Sequence, residues 1–338
     1  MISLNIDNNS SRKYDRTNSI LIIGKAETEY QNRIINKAIG INYVEDLYGT
    51  DSELTKAYYE ALEIGATNIF LCNCYKFTDY LKIAQELMNE EFDYICPLFN
   101  FSETFTIQNT NMYLGEFFSN ILSENITQIF LTDKHASLYE NLDQYIKEMN
   151  DMVYSFKKDK MDKLINGQNL CFVLNNLLNY NYANVALASI ISQADLKEYP
   201  QKDIGDVVFT LNNLDFLDKE IAYFSYDSIS KTTIENFLNF NINADPLKFV
   251  PICIIQQKIL RALDLSEFKG KLLTAYLRIA IENKVNKILA KFQGKLIEGF
   301  KLIDINYIDN KDGTVTIKIY ISIKPYNSIE NINLELEM

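Results

Sequence analysis

Glycine is too sparse in this chain to build a phosphate loop. There are 11 in 338 residues, and the one that follows an apolar run, Gly24 in ILIIGKA, stands alone before Lys25. No G-x-G-x-x-G and no G-x-x-x-x-G-K-[ST] occurs, so neither a dinucleotide nor a triphosphate cradle is specified. Gly270-Lys271 lacks both the earlier glycine and the Ser or Thr after lysine. A G-x-S-x-G nucleophile elbow is also missing. Tryptophan is absent and histidine occurs once, as His135. Beside Asp133, His135 could act as a base with its orienting acid, but a surface turn closing the run LTDKH accounts for it more simply. The five cysteines, Cys72, Cys74, Cys96, Cys171 and Cys253, are odd in number and sit in apolar, strand-like runs. The C-x-C at 72 and 74 is not a metal-finger spacing, so buried, reduced thiols are expected. Nothing assembles a nucleophile, a base and an oxyanion site. The expectation is therefore no catalytic residue, no cofactor and no metal.

Long apolar runs are missing too. None approaches the ~18 residues of a membrane span, and the N-terminus lacks the basic-then-apolar order of a signal peptide. Positive charge is in deficit: the net charge is -12, which argues against general nucleic-acid binding, because phosphate contacts need basic residues. The basic residues that exist are bunched. From Glu267 to Lys301, eight of them (Lys269, Lys271, Arg278, Lys284, Lys287, Lys291, Lys295, Lys301) meet three acidic residues. Lys284, Lys287, Lys291 and Lys295 step by three or four, which places them on one face of a helix. That face is either solvated surface or shaped for an acidic protein partner.

What is present is alternation of strand and helix. Ser19 to Gly24 is a continuous apolar run, as in a strand covered on both faces. Ser52 caps a helix that Gly65 stops. Strands follow at Asn68 to Cys74, Tyr94 to Leu98, Gln128 to Leu131, Leu170 to Leu174 and Val207 to Leu211. Helices are predicted between them at Tyr80 to Met88, Met112 to Leu122, Leu138 to Met152 and Ala183 to Ser192. Repeated units of this kind predict a mostly parallel sheet flanked by helices. After Asp215 the pattern changes. Ile221 to Phe224 reads as a short strand, Thr232 to Phe240 as a helix, and Phe249 to Ile255 as a strand-to-helix entry around Pro251. Leu272 to Phe292 is a long helix. Leu302 to Ile308 and Val315 to Ile323 form a hairpin about Asp309-Asn310-Lys311-Asp312-Gly313. The fold class is an α/β body, a mostly parallel sheet flanked by helices, with a C-terminal α+β domain and a terminal strand at each end of the chain. The divisions fall at 1–18 (arm and linker), 19–245 (body), 246–325 (C-terminal domain) and 326–338 (arm strand).

Both chain ends read as amphipathic strands. Ile2, Leu4 and Ile6 alternate with polar residues, and a polar stretch from Asn8 to Asn18 follows. At the other end, Ile332, Leu334 and Leu336 alternate with Asn333 and Glu335 after Pro325 has ended the preceding strand. Such strands need a sheet to accept them, their own or a neighbour's.

The closing pattern IYISIKPYNSIENINLELE resembles the end of contractile tail sheath proteins, found in contractile-tailed phages, phage-tail-like bacteriocins and related injection systems. TIENFLNFNINADPLKFVPICIIQQKIL resembles that family's passage from body to tail domain. ILIIGKA, YGT and IGATNIFLCN resemble its opening, although Cys72-Asn73-Cys74 stands where the family has an Arg-rich strand ending. The resemblance implies a structural subunit rather than an enzyme. Such a subunit stacks in rings around a tail tube and contracts without nucleotide to drive the tube through an envelope. It implies partners in other sheath subunits, the tail tube, the baseplate and the tail terminator. It also implies a place in a virion or phage-tail-like particle assembled in the host bacterial cytoplasm. Ile2, Leu4, Ile6, Ile332, Leu334 and Leu336 would then pair between subunits, and Lys284, Lys287, Lys291 and Lys295 would face the tube. The competing readings are an α/β enzyme or nucleotide-binding protein using the crevice after Gly24, and a sheath-like baseplate subunit.

Overall fold

The computed structural model describes residues 2–4, 18–28, 35–74, 92–100, 103–107, 110–113, 127–160, 169–193, 204–208, 221–226, 232–235, 238, 249–310 and 314–325. The strands are β1 Ile2–Leu4, β2 Ile20–Gly24, β3 Ile35–Lys37, β4 Ile69–Asn73, β5 Tyr94–Pro97, β6 Thr104–Ile107, β7 Thr110–Tyr113, β8 Gln128–Leu131, β9 Leu170–Val173, β10 Ile221–Tyr226, β11 Thr232–Glu235, β12 Ile297–Asp309 and β13 Val315–Pro325. The helices are α1 Ile41–Tyr48, α2 Glu53–Ile64, α3 Leu142–Lys160, α4 Ala183–Gln193, α5 Val250–Ala262 and α6 Ala275–Ala290. The chain divides into two compact units. One is Ser10–Ile254, and the other joins Met1–Asn9 to Ile255–Met338.

The larger unit is built on an eight-stranded sheet in the order β11-β10-β9-β8-β5-β2-β4-β3. The inner pairs, from β10 through β4, are parallel. The edges β3 and β11 are antiparallel to their neighbours. Alternation along β2 serves two cores at once. Ile20 and Ile22 pack with residues of α1, α2 and α4 on one face, while Leu21 and Ile23 pack with Phe92 and with Tyr145, Met149 and Val153 of α3 on the other. Each such side chain contributes about 1.5–3 kcal/mol by leaving water, which is why the sequence of a doubly covered strand is apolar without alternation. Helix ends follow local chemistry. Ser52 Oγ accepts from Thr55 N at 3.0 Å. Gly65 ends α2 at φ 104°, a left-handed turn that a side chain would strain.

Tyr94 shows a cost inside this core. Its ring stacks on Phe130 at 6.0 Å, but its fully buried hydroxyl has no hydrogen-bond partner among the described residues, and burial pushes the phenol's pKa up. Tyr94→Phe removes the stranded hydroxyl and keeps the ring. It is expected to raise stability by about 1 kcal/mol, read as a higher urea midpoint at unchanged slope. A lower midpoint would show that the hydroxyl is satisfied in solution.

Several sequence expectations need correction. Thr232–Glu235 is a strand, not the start of a helix: β-branched Thr232, Thr233 and Ile234 pair antiparallel with β10. Met112 and Tyr113 lie in the β6–β7 hairpin, and the rest of that expected helix lies outside the described residues, as does Tyr80 to Met88. The helix expected from Leu138 begins at Leu142, after a 3-10 turn over Ala136–Leu138, and runs on to Lys160. Val207 makes an isolated bridge to Leu177 rather than a described strand. All five cysteines are buried, but Cys253 sits on α5 rather than in a strand.

Candidate assembly surfaces and the carboxyl edge of the sheet

In the smaller unit, β12 and β13 pair antiparallel from Asp309↔Val315 to Ile297↔Pro325, with irregularities at Ile297/Gly299 and Leu302/Asp304. The turn is held by Asn310, whose Nδ2 donates to Thr314 Oγ1 and Thr316 Oγ1, each at 3.0 Å. β1 adds antiparallel to the other side of β13 in the register Ile2↔Ile321, Ser3↔Tyr320 and Leu4↔Ile319. Ile2 and Leu4, expected as inter-subunit strand residues, are thus placed on a strand that hydrogen-bonds to the same chain. Ile6, Ile332, Leu334 and Leu336 lie outside the described residues. The order β1-β13-β12 leaves the 13-residue β12 as an edge among the described residues. A row of outward N–H and C=O groups of that length is a template for a further strand.

The basic helix is α6. Thr274 Oγ1 caps it by accepting from Leu277 N at 3.1 Å, and Ile281, Val285, Ile288 and Leu289 are its buried residues. Arg278 lies 4.5 Å over the Tyr307 ring of β12. The lysines separate into different environments. Lys284 is held internally: its Nζ meets Glu267 Oε1 at 2.6 Å and sits 5.6 Å over the Phe268 ring. Lys287, in the last turn, and Lys291, the C-cap, are exposed, with no ion pair among the described residues. Lys295 does not share their helical face. α6 ends at Ala290 and the chain turns, with Lys295 N donating to Phe292 O at 3.1 Å. An apolar row that the periodicity did not reveal is also exposed: Leu272 at 87%, Tyr276 at 81% and Ile279 at 57%. α6 is apolar around much of its circumference, so spacing alone could not tell the buried stripe from the outer one.

The enzyme reading depends on the carboxyl edge of the parallel sheet. The chain goes from β2 to β4 on one side and then crosses to β5 on the other, and doubly wound sheets bind ligands at such a reversal. Here that crevice is filled. Leu98 N donates to Ile23 O at 2.8 Å, and a Cβ on Gly24 would stand 2.5 Å from Leu98 Cδ1. Gly24 therefore makes room for a leucine rather than for a phosphate. Phe99 is buried alongside, with Lys25 Nζ 5.6 Å over its ring.

Further along the same edge is a polar cluster that no sequence motif announces, although the run Asn175-Asn176 through Asn181 and Asn184 is its visible trace. Asn184, fully buried, donates through Nδ2 to Pro97 O at 2.8 Å and Phe130 O at 3.1 Å, bridging β5 and β8. Asn175 Oδ1 accepts from Ala183 N at the start of α4. Glu60 of α2 accepts from Asn181 N and Asn181 Nδ2 at 2.8 Å and from Tyr182 N at 3.2 Å. Burial raises the Glu60 pKa, outweighing these donors, which lower it. His135 forms no dyad with Asp133. Its Nδ1 contacts Ser137 and its Nε2 contacts Leu177 O, while Asp133 Oδ1 accepts from Lys134 N at 2.7 Å.

Solved proteins share this fold over nearly the full length of the chain. A chain of the anti-feeding prophage baseplate in its contracted state aligns with a TM-score of 0.69 at 11% identity, over 97% of this chain and 95% of that one. A chain of the PVC sheath complex of an extracellular contractile injection system, also contracted, aligns with a TM-score of 0.67 at 9% identity, over 95% and 91%. This chain has the tail-sheath fold. The sheath tail protein of Desulfitobacterium hafniense shares it, with a TM-score of 0.59 at 11% identity over 97% of each chain. No protein-family model and no curated protein matches the sequence. Identity near one residue in ten is enough for a shared tail-sheath fold, because hydrophobic pattern and volume, rather than particular residues, specify the layers.

Proposed function

We propose that the protein is a structural subunit of a contractile tail sheath. It polymerises with copies of itself as stacked rings around a tail tube, and it contracts to drive the tube through a cell envelope. The observation that carries this is the extent of the tail-sheath match: the likeness runs through both compact units and leaves little of the chain over. The long edge of β12 and the three-residue β1, contributed from the far end of the chain, suit a sheet shared between subunits. Leu98 in the crevice beside Gly24 weighs against a small-molecule site there. A sheath-like baseplate subunit is the second reading, since the similar structures include baseplate chains. On the sheath reading the particle is a phage or phage-tail-like tail assembled in the host cytoplasm, with baseplate and terminator proteins at its ends.

Lys287 and Lys291, both exposed, remain the residues of the basic stripe best suited to meet an acidic tube. Exposed ion pairs are worth about 0.2–1 kcal/mol each and are screened by salt, yet they repeat in every ring. Co-expression with the tube protein should give long, tube-filled sheaths in negative stain, where a baseplate subunit would give single rings. Lys287→Glu with Lys291→Glu should spare the subunit's fold and reduce extended, tube-filled sheaths roughly tenfold, with high salt acting the same way on the parent. An unchanged yield would place tube contact elsewhere.

A further inference from the structure

His135 ties two loops together at the carboxyl edge of the parallel sheet, and its partners dictate its protonation. Nε2 lies 2.7 Å from Leu177 O, a carbonyl that can only accept, so Nε2 carries a proton. Nδ1 lies 3.1 Å from Ser137 N, a backbone amide that can only donate, so Nδ1 carries none. Ser137 Oγ, 2.7 Å from the same nitrogen, can donate to it as well. The ring is therefore held as the neutral Nε2–H tautomer. It caps the 3-10 turn Ala136–Leu138 on one side and fastens the loop after β9 on the other. Those two loops meet again through Ala136 N, which donates to Asn175 O at 2.8 Å, and Asn175 Nδ2, which donates to Asp133 O at 3.2 Å. Each carries an exposed leucine, Leu138 at 71% and Leu178 at 53%.

We propose that His135 is a proton-sensitive latch between these loops. A proton on Nδ1 turns an acceptor into a donor facing the Ser137 N–H. The cap on the turn is then lost, and only the hydroxyl of Ser137 is able to turn and accept in its place. Charged and titratable groups sit on the same turn and on the elements packed against it. Glu60 of α2 lies within electrostatic reach of His135. Asp133 and Lys134 precede it in the turn. From α3, Tyr145 donates to Lys134 O at 3.4 Å and Glu148 accepts from Tyr139. Asp206 O accepts from Leu178 N at 2.8 Å.

Because the chain has a single histidine, the test is direct. Nitrogen NMR of histidine-labelled protein at neutral pH should show one protonated and one bare ring nitrogen, with the proton on Nε2. Hydrogen-exchange mass spectrometry should then compare the parent with His135→Asn at matched pH. Asn keeps an oxygen to cap Ser137 N but does not titrate. Peptides spanning 133–140 and 175–182 should exchange roughly fivefold faster in the acid parent than in the acid variant, the scale of one lost helix cap. The difference should shrink at neutral pH. An Nδ1–H tautomer overturns the proposal. So does an acid-induced rise in exchange that is equal in parent and variant.

Discussion

Deleting residues 1–15 is expected to abolish long tubes while leaving a folded, soluble subunit. β1 offers its sheet only three residues. Backbone hydrogen bonds net about 0.5–1.5 kcal/mol each, and fixing each residue costs about 1–2 kcal/mol. The strand therefore contributes little to the stability of a single chain. In a polymer the same strand, reached through the polar stretch Asn8 to Asn18, can be supplied by a neighbour at the same edge of β13, and every subunit then holds the next. Loss of the arm removes that link from every contact at once. Cross-linking locates the strand. Ser3 and Tyr320 are register partners, and cross-strand Cα separations of about 4.5–5.5 Å suit a disulfide. In assembled material, oxidised Ser3→Cys/Tyr320→Cys should run as a covalent ladder under denaturing conditions. Monomers closed on themselves, together with normal tubes from the truncated protein, would show that β1 belongs to its own chain and that rings are joined otherwise.

Glu60→Ala should destabilise the larger unit by about 1–3 kcal/mol. Glu60, itself buried, receives three donors from the loop that leads into α4. Truncation leaves the part-buried amides of Asn181 and Tyr182 without this acceptor, and an unmet buried donor costs about 1–3 kcal/mol. Glu60→Gln keeps one carbonyl oxygen and should cost about 1 kcal/mol on the same reasoning. The charge also sets a pH dependence. Burial holds the native pKa above that of the unfolded chain, so the native state binds this proton more tightly. The proton-linked part of the stability is fully present below the unfolded carboxyl's pKa and is lost as pH rises through the raised native value. Urea midpoints measured across this window should flatten in Glu60→Gln. Measuring them in the His135→Asn background keeps the latch out of the slope. A Glu60→Ala protein within about 0.5 kcal/mol of its parent would mean that water satisfies the loop.

The two regions differ in how far the sequence announced them. The carboxyl edge was almost silent. Glu60 and Asn181 stand 121 positions apart, and a carboxylate in the amphipathic α2 looks like any solvated acid until α4 is brought against it. The filled crevice beside Gly24 was half visible: the missing glycines excluded a phosphate loop, but only packing shows that Leu98 occupies the space. On α6 the lysine spacing was legible, whereas the capture of Lys284 by Glu267 and Phe268, and the end of the helix before Lys295, were not.

Features set by near neighbours along the chain were legible in advance. The doubly covered β2 and β4, the Ser52 cap and Gly65 stop of α2, the turn between β12 and β13, and the thiols of the apolar strands all follow from side-chain type and local backbone preference. Only the tertiary structure decided which strands pair. Thr232–Glu235 is a strand because β10 offers it an edge, and Ile2–Leu4 has a partner because β13 lies in reach more than three hundred residues later. Local interactions set the period of a segment. Which face that period buries, and against what, depends on surfaces the rest of the chain supplies, and no window of sequence contains them.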